Sequence, residues 1–372
     1  MAEHTKESRI RNGGKRAAGK RRKPRSTRRK ALTVTAWVAA AVVFLGGGGL
    51  GYLYFKLNGN IKGVDINAAL GTSRPAQVDN GSMDILVLGS DSRAGKNAEY
   101  GKDEGASRSD TAMIVHINKG HKAASVVSIP RDTLITRPSC TTTDGKTDAG
   151  GKRLMFNTAY EVGGPACAVK TVESMSGIRM DHYIEVDFTG FKKLIDELGG
   201  VPITTTQDIS DSKSHLNLKA GTHTLTGEQS LGLVRTRHGV GDGSDLGRIQ
   251  LQQAFIKALI KQVKGVGVFT SPNKLLGLAE AATKAVTTDS DLASVSSLSG
   301  FANGLKSINS GNMKMITLPV QYDPADLNRV IPLEAKSQQV WAALKADKAI
   351  PASATKGSAG DTGGAGKVVT GS

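Results

Sequence analysis

The stretch "TAMIVHINKGHKAASVVSI", residues 111–129, decides the fold. Its two apolar runs, 111–118 and 123–129, are rich in β-branched residues and have the length of strands. The residues "NKGHK" between them, with Gly120, are typical of a turn. The stretch therefore predicts an antiparallel hairpin, and the apolar run "MDILVLG" from Met83 predicts a buried strand shortly before it.

Strands and helices are predicted to alternate after this hairpin. Further strands are expected at 182–188, 201–206 and 313–319. Helices are expected at 164–177, at 189–200 with Thr189 as cap, at 225–237 with Thr226 as cap, at 247–264, and near 273–284, 289–306 and 334–346. The alternation predicts an α/β protein, a three-layer α/β/α domain with a mixed central β-sheet over residues 81–348.

The N-terminal region predicts a membrane anchor. Residues 1–30 hold thirteen lysines and arginines against two glutamates, so they carry +11 of the formal charge of +16. Residues 31–55 contain no charged side chain, and as a helix they would extend roughly 37 Å, enough to span a bilayer. The positive-inside rule then predicts one transmembrane helix, a cytoplasmic N-terminus and an extracellular C-terminal domain. The alternatives are a cleaved signal peptide for 31–55, and a solvated arm or a nucleic-acid-binding arm for 1–30.

Two flanking segments and two cysteines complete the organisation. Residues 56–80 are predicted to form an extracellular stalk, and the small, polar residues 349–372 a disordered tail. Cys140 and Cys167 both lie in the part predicted to be extracellular. An even cysteine count in an oxidising compartment predicts one disulfide, and two unpaired thiols are the alternative.

Charged side chains surround the predicted strands at one edge of the sheet. Asp91 and Arg93 follow the first strand, Arg108 and Asp110 precede the second, and Arg131 and Asp132 follow the third. In an antiparallel hairpin the start of one strand and the end of the next share an edge, so these residues are expected to lie together. Each alone has an ordinary explanation as a turn residue or as surface charge.

A second set, of charged and polar side chains, lies in "LGLVRTRHGVGDGSDLGRIQLQQ", residues 231–253. Helix capping, interaction with a helix dipole or an ordinary helix face would account for any one of its members. Arginines grouped with paired carboxylates instead indicate a metal-bridged polyphosphate, because guanidinium binds phosphate oxygens bidentately and Mg²⁺ binds hard oxygen ligands. The members of the set are Arg235, Arg237, Asp245, Arg248 and Gln252.

Other chemistries have little support in the sequence. No His and Cys residues have the spacing of a zinc site, and there is no G-x-S-x-G motif. The segment "GKRAAGKR" at 14–21 resembles part of a Walker A motif, but it lacks the Ser or Thr and no strand precedes it.

The ordered motifs resemble the LytR-CpsA-Psr proteins of Gram-positive bacteria, and the composition and basic tail are similar to those of actinobacterial members. The resemblance covers roughly 83–265 and includes a similar basic tail and single span before it. The matching segments are "DILVLGSDSR", "RSDTAMIVHI", "VVSIPRDT", "FNTAYEVGGPACAVKTVESMSGIRMDHYIEVDFTGF", "GGVPI", "LTGEQSLGLVRTRH" and "DLGRIQLQQ".

The resemblance implies an extracellular, Mg²⁺-dependent phosphotransferase in the cell membrane. It would move a glycopolymer from a polyprenyl-pyrophosphate carrier to peptidoglycan, usually to the 6-hydroxyl of N-acetylmuramic acid, with no nucleic acid as partner. The lipid would need an apolar slot, for which the helices after residue 248 and a face of the sheet are the candidates. Two alternatives stay open: a pyrophosphatase that acts on the same carrier, and a non-catalytic, lipid-phosphate-binding regulatory membrane protein of the transcriptional-regulator kind.

Residue roles follow from the same resemblance. Asp91 and Asp110 would hold Mg²⁺, with Mn²⁺ as the alternative metal, and Asp245 would assist the acceptor hydroxyl. This sequence departs from the family pattern in two places. The stretch from Asp91 to Asp110 is long for the family, and Leu251 stands where many members have arginine. The pyrophosphate ligands would be Arg93, Arg108, Arg131, Arg235, Arg237, Arg248 and Gln252, and the catalytic set Asp91, Asp110, Arg108, Arg131 and Asp245.

Overall fold

The computed structural model describes residues 48–90, 109–237, 240, 243–265, 272–362 and 368–371. The chain divides into two units, Met1–Leu53 and Tyr54–Ser372. In the first unit the described residues 48–53 are helical. Among the helices that the structure describes, none has both the length and the apolar character needed to cross a membrane. The predicted anchor at 31–55 lies outside the described residues as far as residue 47.

A seven-stranded mixed sheet forms the centre of the second unit, after a short helical segment at 54–58 (α1). The predicted hairpin is confirmed: β3 (Ser109–Ile117) pairs antiparallel with β4 (Ala124–Ile129), and β2 (Met83–Ser90) pairs antiparallel with β3 on its other side. The order is β1-β14-β9-β2-β3-β4-β15, where the other strands are β1 (Lys62–Val64), β9 (His182–Asp187), β14 (Val286–Asp289) and β15 (Met313–Thr317).

Helices cover both faces of this sheet, as the strand alternation requires. One face packs its side chains against α3 (Thr158–Ser176) and α9 (Glu334–Lys345), with Leu86, Ile114 and Trp341 in one buried cluster. The other face packs against α8 (Val295–Gly304), with Ile85 and Ile308 in a separate cluster. The predicted α/β fold with a mixed sheet between helical layers is confirmed.

A second core lies beside the sheet and carries the helices that complete the site. It packs α4 (Phe188–Glu197), α5 (Gly227–Arg235), α6 (Asp245–Gly265) and α7 (Pro272–Ala285) with β10 (Val201–Thr205) and β13 (Gly221–Leu225). The predicted cap of α5 is confirmed, since the Thr226 side chain accepts from the Gln229 amide in a capping box. The predicted Thr189 cap of α4 is wrong: Asp187 caps that helix, because its carboxylate reaches the Gly190 amide.

Small hairpins surround the main sheet. β5 (Leu134–Arg137) pairs with β8 (Gly151–Met155), and β6 (Cys140–Thr141) with β7 (Thr147–Asp148). β11 (Ile209–Asp211) pairs with β12 (Leu216–Leu218), and β16 (Val320–Asp323) with β17 (Asp326–Pro332). The predicted disulfide is confirmed: Cys140 and Cys167 are bonded, which joins β6 to α3.

Helix α3 begins earlier than predicted but changes direction near the predicted start. Its backbone leaves helical geometry at Gly163 and Gly164, just before Pro165. A Cβ at Gly163 would come within 2.5 Å of the Thr141 carbonyl and 2.8 Å of the Cys167 side chain. Glycine here therefore allows the helix to approach the disulfide-linked hairpin.

Two segments differ from the prediction. In the expected stalk, β1 pairs with β14 in the central sheet, and α2 (Ile66–Leu70) buries Ile66 and Leu70 in the core. In the expected disordered tail, Ile350 and Ala354 are buried, and α10 (Ala352–Thr355), α11 (Ala359–Thr362) and β18 (Val369–Gly371) are formed. Backbone pairing and a few apolar side chains suffice for these contacts, so the polar composition concealed them.

Two helices predicted towards the C-terminus are present, one with a later start than predicted and one with nearly the predicted bounds. The expected helix at 289–306 begins only at Val295, because β14 and the turn after it occupy its predicted start. The expected helix at 334–346 corresponds closely to α9.

Candidate functional site

Strand β2 ends, strand β3 begins and strand β4 ends on the same side of the central sheet, which we call the site edge. Predicted site residues come together there. Asp110 is the second residue of β3, and Arg131 follows β4. Arg131 Nη1 donates to Asp110 Oδ1 at 2.6 Å, and Arg131 Nε lies 3.5 Å from Asp132 Oδ2. The predicted convergence is thus confirmed for Asp110 and Arg131. Asp91, Arg93 and Arg108 lie outside the described residues.

The first turn of α6 adds the second predicted set to this edge. Arg248 is 4% exposed, and its Nη2 donates to the Asp110 carbonyl at 2.9 Å. The same nitrogen lies 2.5 Å from Asp245 Oδ1. That oxygen is also 3.5 Å from Arg237 Nη2 and 3.8 Å from Arg131 Nε. One carboxylate therefore holds three guanidinium groups close together.

Three further hydrogen bonds fix the helices that carry these groups. The Arg237 backbone amide donates to Asp211 Oδ2 at 3.0 Å, which anchors the chain where it leaves α5. Gln252, one turn after Arg248, donates through Nε2 to Thr111 Oγ1 at 3.0 Å and to the Val234 carbonyl at 2.9 Å. Gln252 is buried, and these bonds tie α6 to β3 and α5.

Arg235 contacts an aromatic side chain. Its guanidinium carbon lies 5.4 Å from the centre of the Phe188 ring, a cation–π distance. Of the three arginines in 231–253, the contacts bring Arg237 and Arg248 onto Asp245 and place Arg235 over an aromatic side chain.

The electrostatics of the cluster favour an anion. Burial alone would raise the pKa of Asp110, but the guanidinium groups of Arg248 and Arg131 outweigh it and hold that pKa below its usual range. Burial lowers the pKa of Arg237, and the nearby charges of Arg248 and Arg131 lower it further. A cation pressed against two others gains from an added negative charge, so the arrangement is suited to a phosphate group.

Buried arginine nitrogens without hydrogen-bond partners also favour an anion at this site. In the part of the chain that the structure describes, the buried Nε atoms of Arg131 and Arg248 donate no hydrogen bond. Such groups are rare in folded proteins unless a ligand, ion or water completes them. No group of three or more His, Cys, Asp or Glu side chains among the described residues is arranged to hold a metal.

Two cavities adjoin the cluster. The first, the polar cavity, has a volume of about 490 Å³; the second, the apolar cavity, about 260 Å³. The polar cavity is lined by Pro130, Arg131, Asp132, Arg237, Gly243, Ser244, Asp245, Leu246, Tyr322, Leu327, Asn328, Arg329 and Val330. The apolar cavity is lined by Val87, Leu88, Gly89, Thr111, Met113, Val186, Phe188, Phe191, Leu194, Leu231, Val234, Gln252, Phe255, Ile256 and Leu259.

Helix α6 leads from one cavity to the other. Asp245 lines the polar cavity and Gln252 lines the apolar cavity, with Arg248 between them. At 1.5 Å per residue, the two ends of this row are roughly 10 Å apart along the helix. The cavities share no lining residue, and along α6 Arg248 lies between the charged space and the apolar one.

Several lining residues were missed by sequence reasoning. Asp132 was expected at this edge, beside Arg131 in "PRDT", but was given no role there. Thr111 and Phe188 follow motif residues but have no charge to mark them. Tyr322 and Arg329 come from the β16–β17 hairpin, which no motif connects with the site.

Comparisons with known proteins agree with this architecture. A model of the LytR_cpsA_psr family matches residues 53–348. The cell wall biosynthesis protein LcpA of Corynebacterium glutamicum is 33% identical over 317 residues, which are 77% of this chain and 59% of LcpA. The polyisoprenyl-teichoic acid–peptidoglycan teichoic acid transferase TagT of Bacillus subtilis is 34% identical over 257 residues, 66% of this chain and 74% of TagT.

A solved structure has the same fold. The structure of TagT bound to LI-WTA superposes with a TM-score of 0.55 and 27% identity, covering 76% of this chain and 98% of the other. The chain spans about three fifths of the length of the corynebacterial relative. The family model covers most of the chain, including the sheet, the arginine cluster and both cavities. With the matching motifs at the site edge, this shows that the chain belongs to the LytR-CpsA-Psr family.

Proposed function

We propose that this protein is a membrane-anchored, Mg²⁺-dependent phosphotransferase. It moves a glycopolymer from a polyprenyl-pyrophosphate carrier to peptidoglycan and forms a phosphodiester. The observation that carries the proposal is the arginine cluster between a polar and an apolar cavity. A lipid pyrophosphate matches this order, because its apolar chain suits the apolar cavity and its two phosphates suit the arginines.

The apolar cavity is suited to the carrier lipid. Its walls come from the face of β2 and β3 and from α4, α5 and α6, with Phe191, Phe255 and Leu259 among them. Transfer of an alkyl chain from water into such a space gains about 25 cal/mol per Å² of apolar surface buried. The relatives support the same substrate class, since TagT is named as a polyisoprenyl-teichoic acid transferase and one of its structures holds LI-WTA.

The arginine cluster binds the pyrophosphate in this proposal. Arg131, Arg237 and Arg248 point their donors at one region, where Asp245 fixes their positions. Preorganised cations of this kind lower the barrier of phosphoryl transfer by stabilising negative charge on the phosphoryl oxygens. Arg93, Arg108 and Arg235 are proposed as further contacts, on the family resemblance.

The acceptor hydroxyl attacks the phosphorus nearer the glycan. The new P–O bond forms as the bond to the bridging oxygen breaks, and polyprenyl phosphate leaves. The hydroxyl proton passes to a carboxylate at the polar cavity. The family resemblance indicates Asp245 as the carboxylate that accepts this proton. Its contacts with three arginines also give it a positioning role. Asp132, which lines the same cavity, is the second candidate.

The carboxylates of the site edge fit a hard divalent cation. The lowered pKa of Asp110 keeps its carboxylate ionised at neutral pH. Ser90, which directly precedes Asp91, pairs with Ser109, which directly precedes Asp110. Asp91 and Asp110 are therefore proposed to hold Mg²⁺, with Mn²⁺ as the alternative. When bound, the ion would neutralise charge on the phosphates.

The proposed topology places this chemistry outside the cell. Residues 1–30 form a basic cytoplasmic tail, and 31–55 form the single span, on the charge asymmetry in the sequence. A reporter fused after Ser372 is expected to be active only outside the cytoplasm, and cytoplasmic activity would contradict this arrangement.

The activity is tested with the full chain in detergent. The protein is incubated with Mg²⁺, a polyprenyl-pyrophosphate oligosaccharide and peptidoglycan fragments, and the products are identified by mass spectrometry. The expected products are a glycan-phosphate-peptidoglycan conjugate and polyprenyl phosphate. Free glycan phosphate without a conjugate would show a pyrophosphatase instead. Binding of the lipid without any product would favour the regulatory role.

A further inference from the structure

We infer that the polar cavity is the binding site for the acceptor saccharide, and that Tyr322, Leu327 and Arg329 of the β16–β17 hairpin recognise it. This inference rests on the proposed transfer and assigns one of its two substrates to a place. The sequence motifs do not include any of these three residues, and all three line the polar cavity.

The direction of attack separates the two substrates. In phosphoryl transfer the attacking and leaving oxygens lie roughly in line on opposite sides of the phosphorus. The leaving group is polyprenyl phosphate, whose chain belongs in the apolar cavity. The acceptor hydroxyl must then arrive from the far side of the arginine cluster. Along α6 that is the side of Asp245, where the polar cavity opens.

The β16–β17 hairpin is held against the site edge. Thr133 and Val330 form a parallel bridge, and the Val330 amide donates to the Asp132 carbonyl at 3.4 Å. Asp132 immediately follows Arg131. The hairpin wall is therefore fixed relative to the residue that contacts Asp110, and an acceptor bound on it would have a defined distance to the phosphates.

The side chains on this wall have the chemistry of a saccharide site. Leu327 is 72% exposed and Tyr322 39% exposed, although both are large and apolar. The C–H face of a sugar ring packs on such surfaces, and an aromatic ring supplies a broad, stiff one. These side chains are the exposed large apolar groups of a cavity whose other lining residues are mainly charged or polar.

Arg329 supplies the polar part of the recognition. Its guanidinium lies 3.8 Å from Asp132 and 3.7 Å from Asp326, beyond the range of short charged hydrogen bonds. Among the described residues its one hydrogen bond goes to the Asn328 carbonyl, at 3.5 Å. Most of its donors thus remain for hydroxyl or carboxylate oxygens of a sugar in the cavity.

The test separates the acceptor from the glycan of the donor. In the full chain, Arg329→Gln and Tyr322→Ala are each expected to raise the KM for a peptidoglycan glycan fragment by roughly tenfold. The KM for the lipid-linked donor and the Kd of sugar-free polyprenyl pyrophosphate are expected to stay unchanged. Arg179→Gln is the matched control, because Arg179 is a half-buried arginine just before β9, at the other edge of the sheet.

Other results would overturn the inference. An unchanged acceptor KM in both variants would do so. A weaker affinity for the glycosylated donor, with the acceptor KM unaltered, would show instead that the cavity holds the donor's sugars. Melting curves check that the variants are folded, and Leu327→Ser, at a highly exposed position, replaces any variant that is not.

A direct binding measurement keeps this inference distinct from the proposed activity. The glycan fragment is titrated alone into the parent and into Arg329→Gln, and binding is followed by calorimetry. Weaker binding by the variant supports the site even if the parent transfers nothing. Equal binding by both proteins, or none by either, overturns it even if the parent is an active transferase.

Discussion

The two edges of the central sheet both hold carboxylates, but different cations face them. At the site edge, Asp110 and Asp245 contact arginines. At the opposite edge, where β2 and β9 begin and β3 ends, the partners are histidines. His116 lies between two carboxylates, with Nδ1 2.9 Å from Asp84 and Nε2 3.1 Å from Asp347.

The difference determines how each edge responds to pH. Arginine stays protonated under all physiological conditions, so the charge of the site edge is constant. Histidine changes charge near neutral pH. At the opposite edge His116 joins β3 to β2 and to the turn after α9, and His182 joins β9 to β14. One edge is thus arranged for binding an anion, and the other for holding strands together.

The strongest test of this comparison removes a carboxylate from the site edge. Asp110→Asn keeps the shape of the side chain but removes the proposed metal ligand and the ion pair with Arg131. Mg²⁺-stimulated turnover is expected to be lost, while the protein still unfolds cooperatively at a melting temperature lowered by the loss of the ion pair. Because the pKa of Asp110 is lowered, the parent residue is ionised throughout pH 6–8 and the loss should not depend on pH there. The measurement is turnover against Mg²⁺ concentration in parent and variant.

The control for this variant is Asp144→Asn, at an exposed hairpin turn that lines neither cavity. It should retain the Mg²⁺ response of the parent. If folded Asp110→Asn responded to Mg²⁺ as the parent does, Asp110 would be only a turn and ion-pair residue.

Removing single arginines should have a smaller but clear effect. Arg248→Ala removes the contact with Asp245 and the hydrogen bond to the Asp110 carbonyl. A charge-assisted hydrogen bond of about 2–3 kcal/mol corresponds to a loss of roughly 30- to 150-fold in kcat/KM. Arg237→Lys keeps the charge but not the planar fork, so a decrease is also expected, no larger than that of Arg248→Ala.

The readouts for these arginines are steady-state turnover and the Kd of lipid pyrophosphate. Arg179→Gln again serves as the control and should behave like the parent. Parental turnover and affinity in both cluster variants would mean that these arginines are structural. The contrast between the two edges would then concern folding alone.

The disulfide contributes stability near the site edge. Helix α3 begins beside this edge, since the Asn157 amide donates to the Arg131 carbonyl, and Cys167 ties the helix to β6. The bridge closes a loop with a sequence separation of 27. The chain-entropy model gives about 3 to 4 kcal/mol for a loop of this size. The double variant Cys140→Ala, Cys167→Ala is expected to lose stability of that order in urea unfolding.

Two observations decide the disulfide prediction. Intact-mass analysis of the parent should show no alkylation before reduction and two modified thiols after it. If the double variant unfolded at the same urea concentration as the parent, the bridge would contribute nothing measurable to stability.

Much of the fold was visible in the sequence because its main strands are long and apolar. The runs that became β2, β3 and β4 repeat β-branched residues, and the Thr226 cap has a recognisable local pattern. β1 and β14 are only three and four residues long and mostly polar. Backbone hydrogen bonds to the neighbouring strands hold β1 and β14 in the sheet. Such pairing leaves no periodic pattern in the sequence.

The site was predictable only in part for a related reason. Residues next to strand ends could be placed at one edge by topology, and Asp110 and Arg131 lie there as expected. The contact of Asp245 with three arginines depends on how the chain turns back after α5, and no local pattern encodes that. Arg329 lies in a hairpin far along the sequence, so only the tertiary structure brings it to the polar cavity.

The smallest expected effect tests the opposite edge, through His182 and Asp289. His182 Nδ1 lies 3.2 Å from Asp289 Oδ2, and both side chains are largely buried. Burial alone would lower the pKa of His182, but the hydrogen bond and charge of Asp289 raise it above its usual value. The pKa of Asp289 is lowered despite its burial, mainly by the hydrogen bond from His182.

The signs of the two shifts define a pH window. A raised histidine pKa gives stability that is complete below about pH 6.5 and is lost as pH rises through the folded-state value. A lowered aspartate pKa gives stability that is present above about pH 4 and is lost as pH falls through its folded-state value. The pair should therefore contribute most between these limits.

His182→Gln is expected to lower the melting temperature by roughly 2 °C near pH 5.5 and by less at pH 8. His116 is present in both proteins, so the difference between their melting curves isolates the His182 pair. A difference that stays constant from pH 5.5 to 8 would show that this pair does not titrate, and the contrast between the two edges would then rest on His116 alone.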